Sequence, residues 1–363
     1  MTLVPSVVDE IDLPEAQRRI EAILKEFLHA KALEATAHGM PPLAASALSD
    51  FLHAGGKRLR PMLCVLGWHA AGGAADPPPA VLQVAAALEM FHAFCLIHDD
   101  VMDASDTRRG RPTVHRALAG HYAHSRTRQH AARLGDAAAI LTGDLALCWS
   151  DELIHTAGLN AGRLTRILAV LHVMRTEAMY GQYLDITTTG TPSTDLDRAL
   201  AITRYKTAKY TVERPLHLGA LLAGADDNLL TALTDYALPL GEAFQLRDDL
   251  LGVFGDPSVT GKSRLDDLRE GKHTALVAIA LRDATPHQAE VLRRLLGRPD
   301  LTEDDAASIR DIFTATRARA QVEDLISQRR ENAFRLLDTP TVITPCVLPH
   351  LRHLANATTR RTV

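Results

Sequence analysis

The stretch Leu96-Ile97-His98-Asp99-Asp100-Val101-Met102-Asp103, running on into Thr107-Arg108-Arg109-Gly110, decides how the rest of the chain is read. Ahead of it, Val81 to Ile97 is an apolar run rich in Ala, Leu and Val, with the character of a core helix. That helix ends in three carboxylates within five positions. Asp99 and Asp103 stand four apart, so on a helix they share a face with Cβ atoms about 5–6 Å apart. Like charges so spaced repel by roughly 0.2–0.5 kcal/mol on an exposed helix, and by more once partly buried. Asp is also a poor helix former. Local preference is broken at the end of a core helix, which is the kind of place where function is found. Two readings stand side by side: a solvated acidic helix end, or a cation site. A hard divalent ion such as Mg²⁺ takes carboxylate oxygens and completes its shell with water and substrate phosphates. The two arginines downstream could then hold the anion that such a metal brings.

The 363 residues can bury a large core, and at 46% hydrophobic and 23% charged the composition is that of an ordinary globular protein. A net charge of −4 gives no reason to expect nucleic-acid binding. Cys64, Cys95, Cys148 and Cys346 lie far apart without CxxC spacing, as small core residues of a reducing compartment do. The N-terminus has no basic segment followed by an apolar run, and no stretch reaches ~18 uninterrupted apolar residues. The expectation is a cytoplasmic protein with no membrane span.

Taken in order, Met1 to Asp12 reads as a loose lead-in, and Pro14 opens a helix to about His38. A second helix, about Leu43 to Ala54, stops at Gly55-Gly56, and Lys57, Arg58 and Arg60 follow before Pro61 restarts a helix through Trp68. Gly110 to Gly135 is polar, with four histidines, and reads as an exposed lid near the acidic cluster; His121 and His124 could share a face but lack a third ligand. Helices are expected over Ala137–Thr156 (interrupted at Gly143-Asp144), Arg163–Asp185, from about Leu196 to before Pro215, Leu216–Ala223 and Leu229–Leu250. Gly255 to Lys272 reads as a loop, and Thr274–Arg282, Pro286–Leu296, Glu303–Leu337 and Pro345–Ala357 as helices. Alternating strands are missing, so the fold class is all-α, one large domain over 1–363. The helix from Leu229 ends in Phe244-Gln245-Leu246-Arg247-Asp248-Asp249, a second apolar helix running into aspartates. Two such helices could face each other across a cavity, as metal-binding bundles arrange theirs.

The set Gly55-Gly56-Lys57-Arg58-Leu59-Arg60-Pro61, Asp99-Asp100-Val101-Met102-Asp103, Arg108-Arg109-Gly110, Gly181-Gln182, Lys206-Thr207 and Phe244-Gln245 through Asp248-Asp249 resembles the trans-isoprenyl diphosphate synthases. The motifs fall in that family's order across Gly55 to Lys272. The resemblance implies a helical bundle around a central cavity, usually as a homodimer. It also implies an enzyme that ionises an allylic diphosphate (dimethylallyl, geranyl or farnesyl), adds the cation to isopentenyl diphosphate and loses a proton. It further implies that Asp99, Asp103 and Asp248 bind Mg²⁺, three ions with the allylic diphosphate in place and Mn²⁺ able to substitute. Asp100, Asp249 and Asp266 would orient metal-bound water. Arg108, Lys206, Lys262 and Lys272 would contact the allylic diphosphate, Arg as a bidentate donor and Lys as a movable point charge. Lys57, Arg60 and Arg109, assisted by His92, match the metal-free pocket for isopentenyl diphosphate. Thr207 and Gln245 would steady the allylic cation, and the released diphosphate would take the proton.

One position departs from the pattern. Many members carry a third aspartate four residues after the first in the second cluster, where this chain has Gly252. Asp256 lies eight residues on, its reach to the metals left open, and weaker metal support on that side is expected. Product length falls to the helix before Asp99. Phe94 is five residues ahead, Phe91 eight, and Cys95, at four, is small. Either the two rings are ordinary core, or Phe94 floors the tunnel and limits the product to about twenty carbons (geranylgeranyl diphosphate), with farnesyl or longer chains as alternatives. A class I terpene cyclase would share the fold but would not need Lys57, Arg60 and the Lys206-Thr207 pair. A non-catalytic synthase subunit could drop its metal ligands, and both clusters persist here.

Overall fold

The first helix uses the start signal written in the sequence. In the computed structural model, which describes residues 11–256, 263–339 and 342–359, the Asp12 side chain accepts from the Glu15 amide at 2.8 Å and Pro14 lies in the first turn. Helix α1 (Leu13–Ala37) then buries Ala16, Ile20, Leu24 and Leu28 along one stripe. The lead-in expected over Met1 to Asp12 lies, up to residue 10, outside the described residues. Helices α2 (Leu43–His53) and α3 (Leu59–Ala70) precede α4 (Pro79–Met102). By length and composition α4 could cross a membrane, with a mean hydropathy of 1.8 over its window, contrary to the expectation from uninterrupted runs; yet 72% of that window is buried inside the protein. A helix apolar all round is buried all round, and α4 packs on α1, α3 and above all α6.

Residues 110–135 are largely helical and do not form the expected lid. A minimal hairpin, β1 (Thr107–Arg108) against β2 (Arg111–Pro112), turns the chain. Helix α5 (Val114–Tyr122) then buries Val114, His115 and Leu118 against α6 (Arg128–His155), which Thr127 caps. The polar composition reflects burial on one side only. Gly135 and Gly143, which punctuate the sequence, are contact points inside α6. A Cβ at Gly135 would stand 2.4 Å from the His115 carbonyl oxygen, and one at Gly143 2.3 Å from the His98 ring. His121 and His124 are exposed.

Helices α7 (Ala161–Thr188) and α8 (Leu196–Ile202) lead into a π-helical segment, Thr203–Glu213, then α9 (Arg214–Ala223) and α10 (Asp227–Phe254). The stretch expected to be a loop up to Lys272 contains a short helix, α11 (Asp266–Glu270). Helices α12 (Ala275–Asp283), α13 (Pro286–Leu295), α14 (Glu303–Ala315), α15 (Ala318–Asp338) and α16 (Leu348–Thr359) complete the all-α architecture. The single helix expected over Glu303–Leu337 is broken because Arg317 takes a left-handed conformation, φ 57°. Apolar side chains gather around α1, α4, α6 and α7, around α10 with α11 to α15, and around α3, α9, α10, α15 and α16. Helices α4 and α10 are thus core struts, and each runs out of its core into carboxylates.

Candidate active site

At the end of α4, Asp99 Oδ1 accepts from Lys206 Nζ at 3.1 Å and from Gln182 Nε2 at 3.0 Å. Lys206 also donates to Asp185 Oδ2 at 2.5 Å. Asp103 Oδ2 lies 3.4 Å from Lys272 Nζ, which reaches Glu270 at 2.9 Å and Asp267 at 3.5 Å. Burial disfavours the charge on Asp99, but Lys206, Lys272 and Arg108 outweigh it and bring the carboxyl down to about 2. For Asp103 burial prevails over Lys272, and the pKa is raised. Burial also disfavours the two ammonium groups, yet the carboxylates around them raise both lysines above the usual range.

Lys206 and Thr207 stand on the π-helical segment, a geometry that occurs mostly as short bulges and often at functional sites. Close approach from α7 holds it, since a Cβ at Gly181 would come within 2.2 Å of the Lys206 amide nitrogen. The Thr207 hydroxyl donates to Gln245 Oε1 at 2.9 Å, and Gln245 Nε2 donates to Asp249 Oδ1 at 2.7 Å. Burial pushes the Asp249 carboxyl up to about 7, against the Gln245 hydrogen bond. A cavity of about 110 Å³ is lined by Asp185, Lys206, Thr207, Gln245, Asp248, Asp249, Gly252, Asp267, Lys272 and His273, among others. Lys206 and Lys272, paired with Asp99 and Asp103 of the α4 end, line the same cavity as Asp248 and Asp249 of the α10 end.

The basic loop after α2 divides its labour. Arg58, at φ 46°, is buried and donates to Glu89 at 2.7 Å and to the Leu52 carbonyl, so it anchors the loop. Arg60 is also buried; it donates to Thr211 Oγ1 at 2.6 Å and lies 4.3 Å over the Tyr210 ring. Lys57 is exposed. Arg109 reaches back from the hairpin to the Gly55 carbonyl and packs over Gly56. His92 Nδ1 is 3.2 Å from the Tyr210 hydroxyl. Its pKa is held well below the usual value by burial and then by Arg60, Arg109, Arg108 and Arg58.

The other expected site residues lie in varied surroundings. Asp100, expected to orient metal-bound water, is fully buried and takes Arg108 Nε on both oxygens at 2.9 Å. Arg108 is therefore committed to Asp100, with Asp99 3.5 Å from its Nη2. Asp266 is exposed, and its neighbour Asp267 lines the cavity instead. Asp256 is exposed just past α10. Lys262 lies outside the described residues. Phe94 is buried, its ring 5.5 Å from that of Phe91 and 4.7 Å from that of His98; Cys95 is half-buried on the same helix. Asp185 and Glu270, to which the resemblance assigns no role, pair with Lys206 and Lys272. Asp185 was visible at the end of Gly181-Gln182-Tyr183-Leu184-Asp185, one helical turn past Gly181.

Residues 41–313 match the family model described as polyprenyl synthetase. The chain is 33% identical to the geranylfarnesyl diphosphate synthase of Aeropyrum pernix over 302 residues, 79% of this chain and 88% of that protein. It is 31% identical to the geranylgeranyl diphosphate synthase of Saccharolobus solfataricus over 262 residues, 72% and 73% of the two chains. The structure of geranylgeranyl pyrophosphate synthase from Corynebacterium glutamicum, complexed with isoprenyl diphosphate and magnesium, superposes with a TM-score of 0.91 at 40% identity, covering 97% of this chain and 100% of the other. The chain belongs to the polyprenyl synthetase family and is a prenyltransferase that makes prenyl diphosphates on the all-α isoprenoid synthase fold.

Proposed function

We propose that the protein condenses isopentenyl diphosphate with an allylic diphosphate to give geranylgeranyl diphosphate, with Mg²⁺ held at Asp99, Asp103 and Asp248. The observation that carries this reading is the placement of Lys206 and Lys272, each seated between carboxylates of different elements beside one cavity. An incoming diphosphate would take over the ammonium groups, and the released carboxylates would be left for metal. Among the described residues no three His, Cys, Asp or Glu side chains gather closely enough to cage an ion alone. That fits Mg²⁺, which keeps several waters and binds through one or two carboxylates plus substrate phosphates. The magnesium bound in the related Corynebacterium structure supports the same choice. Mg²⁺ at these aspartates would neutralise the charge that gathers on the diphosphate as its C–O bond breaks.

The chain's own groups supply the rest. Lys206 and Lys272 are preplaced donors for the departing diphosphate, where fixed charge in a water-poor site counts most. The Thr207 hydroxyl and the Gln245 carbonyl border the cavity and present oxygen dipoles to an allylic cation. Lys57, Arg60 and Arg109 beside His92 form the pocket for isopentenyl diphosphate. The proton lost after coupling passes to the released diphosphate. Phe94, packed between Phe91 and His98 on α4, sets the twenty-carbon limit in this reading.

A second copy of the chain is part of the proposal. Ile140 and Leu141 on α6, with Val173, Tyr180, Tyr183 and Ile186 on α7, are exposed apolar side chains that a homodimer would cover. A cytoplasmic location accords with four unpaired cysteines. The test is incubation with isopentenyl diphosphate and each allylic primer, followed by product chromatography. The expected result is a Mg²⁺-dependent twenty-carbon diphosphate. A fifteen-carbon or longer product would move the floor away from Phe94, and no consumption of isopentenyl diphosphate with any primer would reject the reading.

A further inference from the structure

A growing prenyl tail is apolar and has to leave the acidic helix ends along an apolar path. Helix α4 packs chiefly on α6 and α3, and α7 chiefly on the π-helical segment and α9, so α4 and α7 meet mainly through side chains. One such bridge lies at the mouth, where Gln182 of α7 donates to Asp99 at 3.0 Å. Another lies further along both helices. Arg175, seven residues before Gln182, holds its guanidinium carbon 5.6 Å from the centre of the Phe91 ring, eight residues before Asp99. At 1.5 Å per residue the two bridges stand about 10–12 Å apart. Arg175, Ala178, Gln182 and Asp185 follow one another by three, four and three residues, so they share one face of α7. Ala178, between the bridges, is small and buried.

The far bridge is a cation set against an apolar core. The Arg175 side chain is 11% exposed, and its Nη1 donates to Asp151 of α6 at 2.5 Å. Nη2 reaches the Ser150 hydroxyl at 3.4 Å, and that hydroxyl donates to the Ala87 carbonyl of α4 at 2.9 Å. Nε is buried with no hydrogen-bond partner among the described residues. Phe91, fully buried, leans in turn on Phe94, their ring centroids 5.5 Å apart. A guanidinium so placed has given up most of its water, and a carboxylate and an aromatic face stand in for it. A hydrocarbon tail pushed between Arg175 and Phe91 would take the aromatic face away and return no polar contact.

We propose that Arg175 is a specificity-determining residue, a cationic stop that pins the Phe91 ring across the gap between α4 and α7 and ends the tunnel behind Phe94. The proposal rests on the Phe94 floor argued above and deepens it. Removing the Phe94 ring frees space only as far as the Phe91–Arg175 pair, three residues or about 4.5 Å further along α4.

The test is product chromatography on the full-length enzyme, with farnesyl diphosphate as primer and isopentenyl diphosphate in excess. Phe94→Ala is compared with the same change combined with Arg175→Met or Arg175→Lys, two side chains of similar reach that differ in charge. Phe94→Ala is expected to add about one five-carbon unit and stop, given the distance to Phe91. Phe94→Ala with Arg175→Met is expected to run on to longer products, whereas Phe94→Ala with Arg175→Lys stops where Phe94→Ala does. Asp151 is half-exposed and regains water when Arg175 is lost. Circular dichroism melting checks the fold, and Arg175→Leu replaces Arg175→Met, with the same expected lengthening, should the Met variant not melt cooperatively. Folded charge-free double variants whose products match those of Phe94→Ala, or a Lys variant that lengthens as far as the Met one, overturn the proposal and leave the Phe94 floor standing. Wild-type products from Phe94→Ala with longer ones from the Met double variant support Arg175 as the stop and remove Phe94 as the floor. Wild-type products from every variant overturn both.

Discussion

The ends of α4 and α10 look alike in sequence and differ in electrostatic setting. Helix α4 carries its own pair, Asp99 and Asp103, on one face, with Lys206, Lys272 and Arg108 close enough to bring Asp99 down to about 2. Helix α10 carries Asp248 and Asp249 and places Gly252 where a partner would stand. Asp249 is half-buried, accepts from Gln245 and is pushed up to about 7 by loss of hydration. The carboxylate facing Gly252 arrives from α11. A motif of adjacent aspartates does not by itself fix charge; the cations within reach do. In this molecule the α4 end is paired with Lys206 and Lys272 before any ligand arrives, and the α10 end is assembled from two elements.

The comparison can be broken first at the ligands themselves. Asp99→Ala and Asp248→Ala should each lower kcat/KM by about 10³-fold or more, since each removes charge handling needed as the C–O bond breaks. Asp256→Ala, on an exposed residue past the helix, should stay within about threefold. Steady-state kinetics with Mg²⁺ varied separates these. Equal losses in Asp248→Ala and Asp256→Ala would show that the α10 end is wrongly drawn. Next, Arg108→Met should destabilise the fold by roughly 3–5 kcal/mol in urea denaturation, because it strands the buried Asp100 carboxylate on α4.

A stability background must be known before any pH profile of the site is read. His217, buried among Glu213, Thr234 and the Leu230 carbonyl, is lowered from 6.5 to about 4, first by loss of hydration. A histidine whose folded pKa is depressed binds its proton more readily when unfolded. Its contribution is therefore present above about pH 6.5 and lost as pH falls toward 4, to roughly 3 kcal/mol in total. His217→Asn should flatten the acid limb of urea-denaturation stability between those values. The smallest energetic effect is the most visible chemically. Phe94→Ala should lengthen the product by one or more five-carbon units, read by chromatography, with little change in the rate of the first condensation. An unchanged product would place the floor elsewhere on α4.

Much of this was legible from residue order, for physical reasons that can be named. The apolar runs of α4 and α10 and their abrupt aspartates need only pattern and burial. The π-helical segment could not be read, because its side-chain pattern around Tyr205-Lys206-Thr207 is also that of an α-helix. Gly135 and Gly143 read as punctuation, since a glycine that admits a neighbour looks in sequence like one that ends a helix. The exchange of Asp266 for Asp267 follows from one residue step on a five-residue helix, about 100° of rotation, which too few apolar positions were present to orient. The burial of Asp100 depended on Arg108 folding back through a turn with positive φ at Arg109 and Gly110, 54° and 71°. Nothing in local spacing announces such a return.

The most direct test of the central claim is a crystal structure of the protein with Mg²⁺ and an unreactive allylic thiolodiphosphate. The diphosphate is expected between the two acidic helix ends, its oxygens met by Lys206 and Lys272, with metal at Asp99 and Asp103 on one side and at Asp248 on the other. A diphosphate seated away from this cavity, or metal bound at one helix end alone, would contradict it.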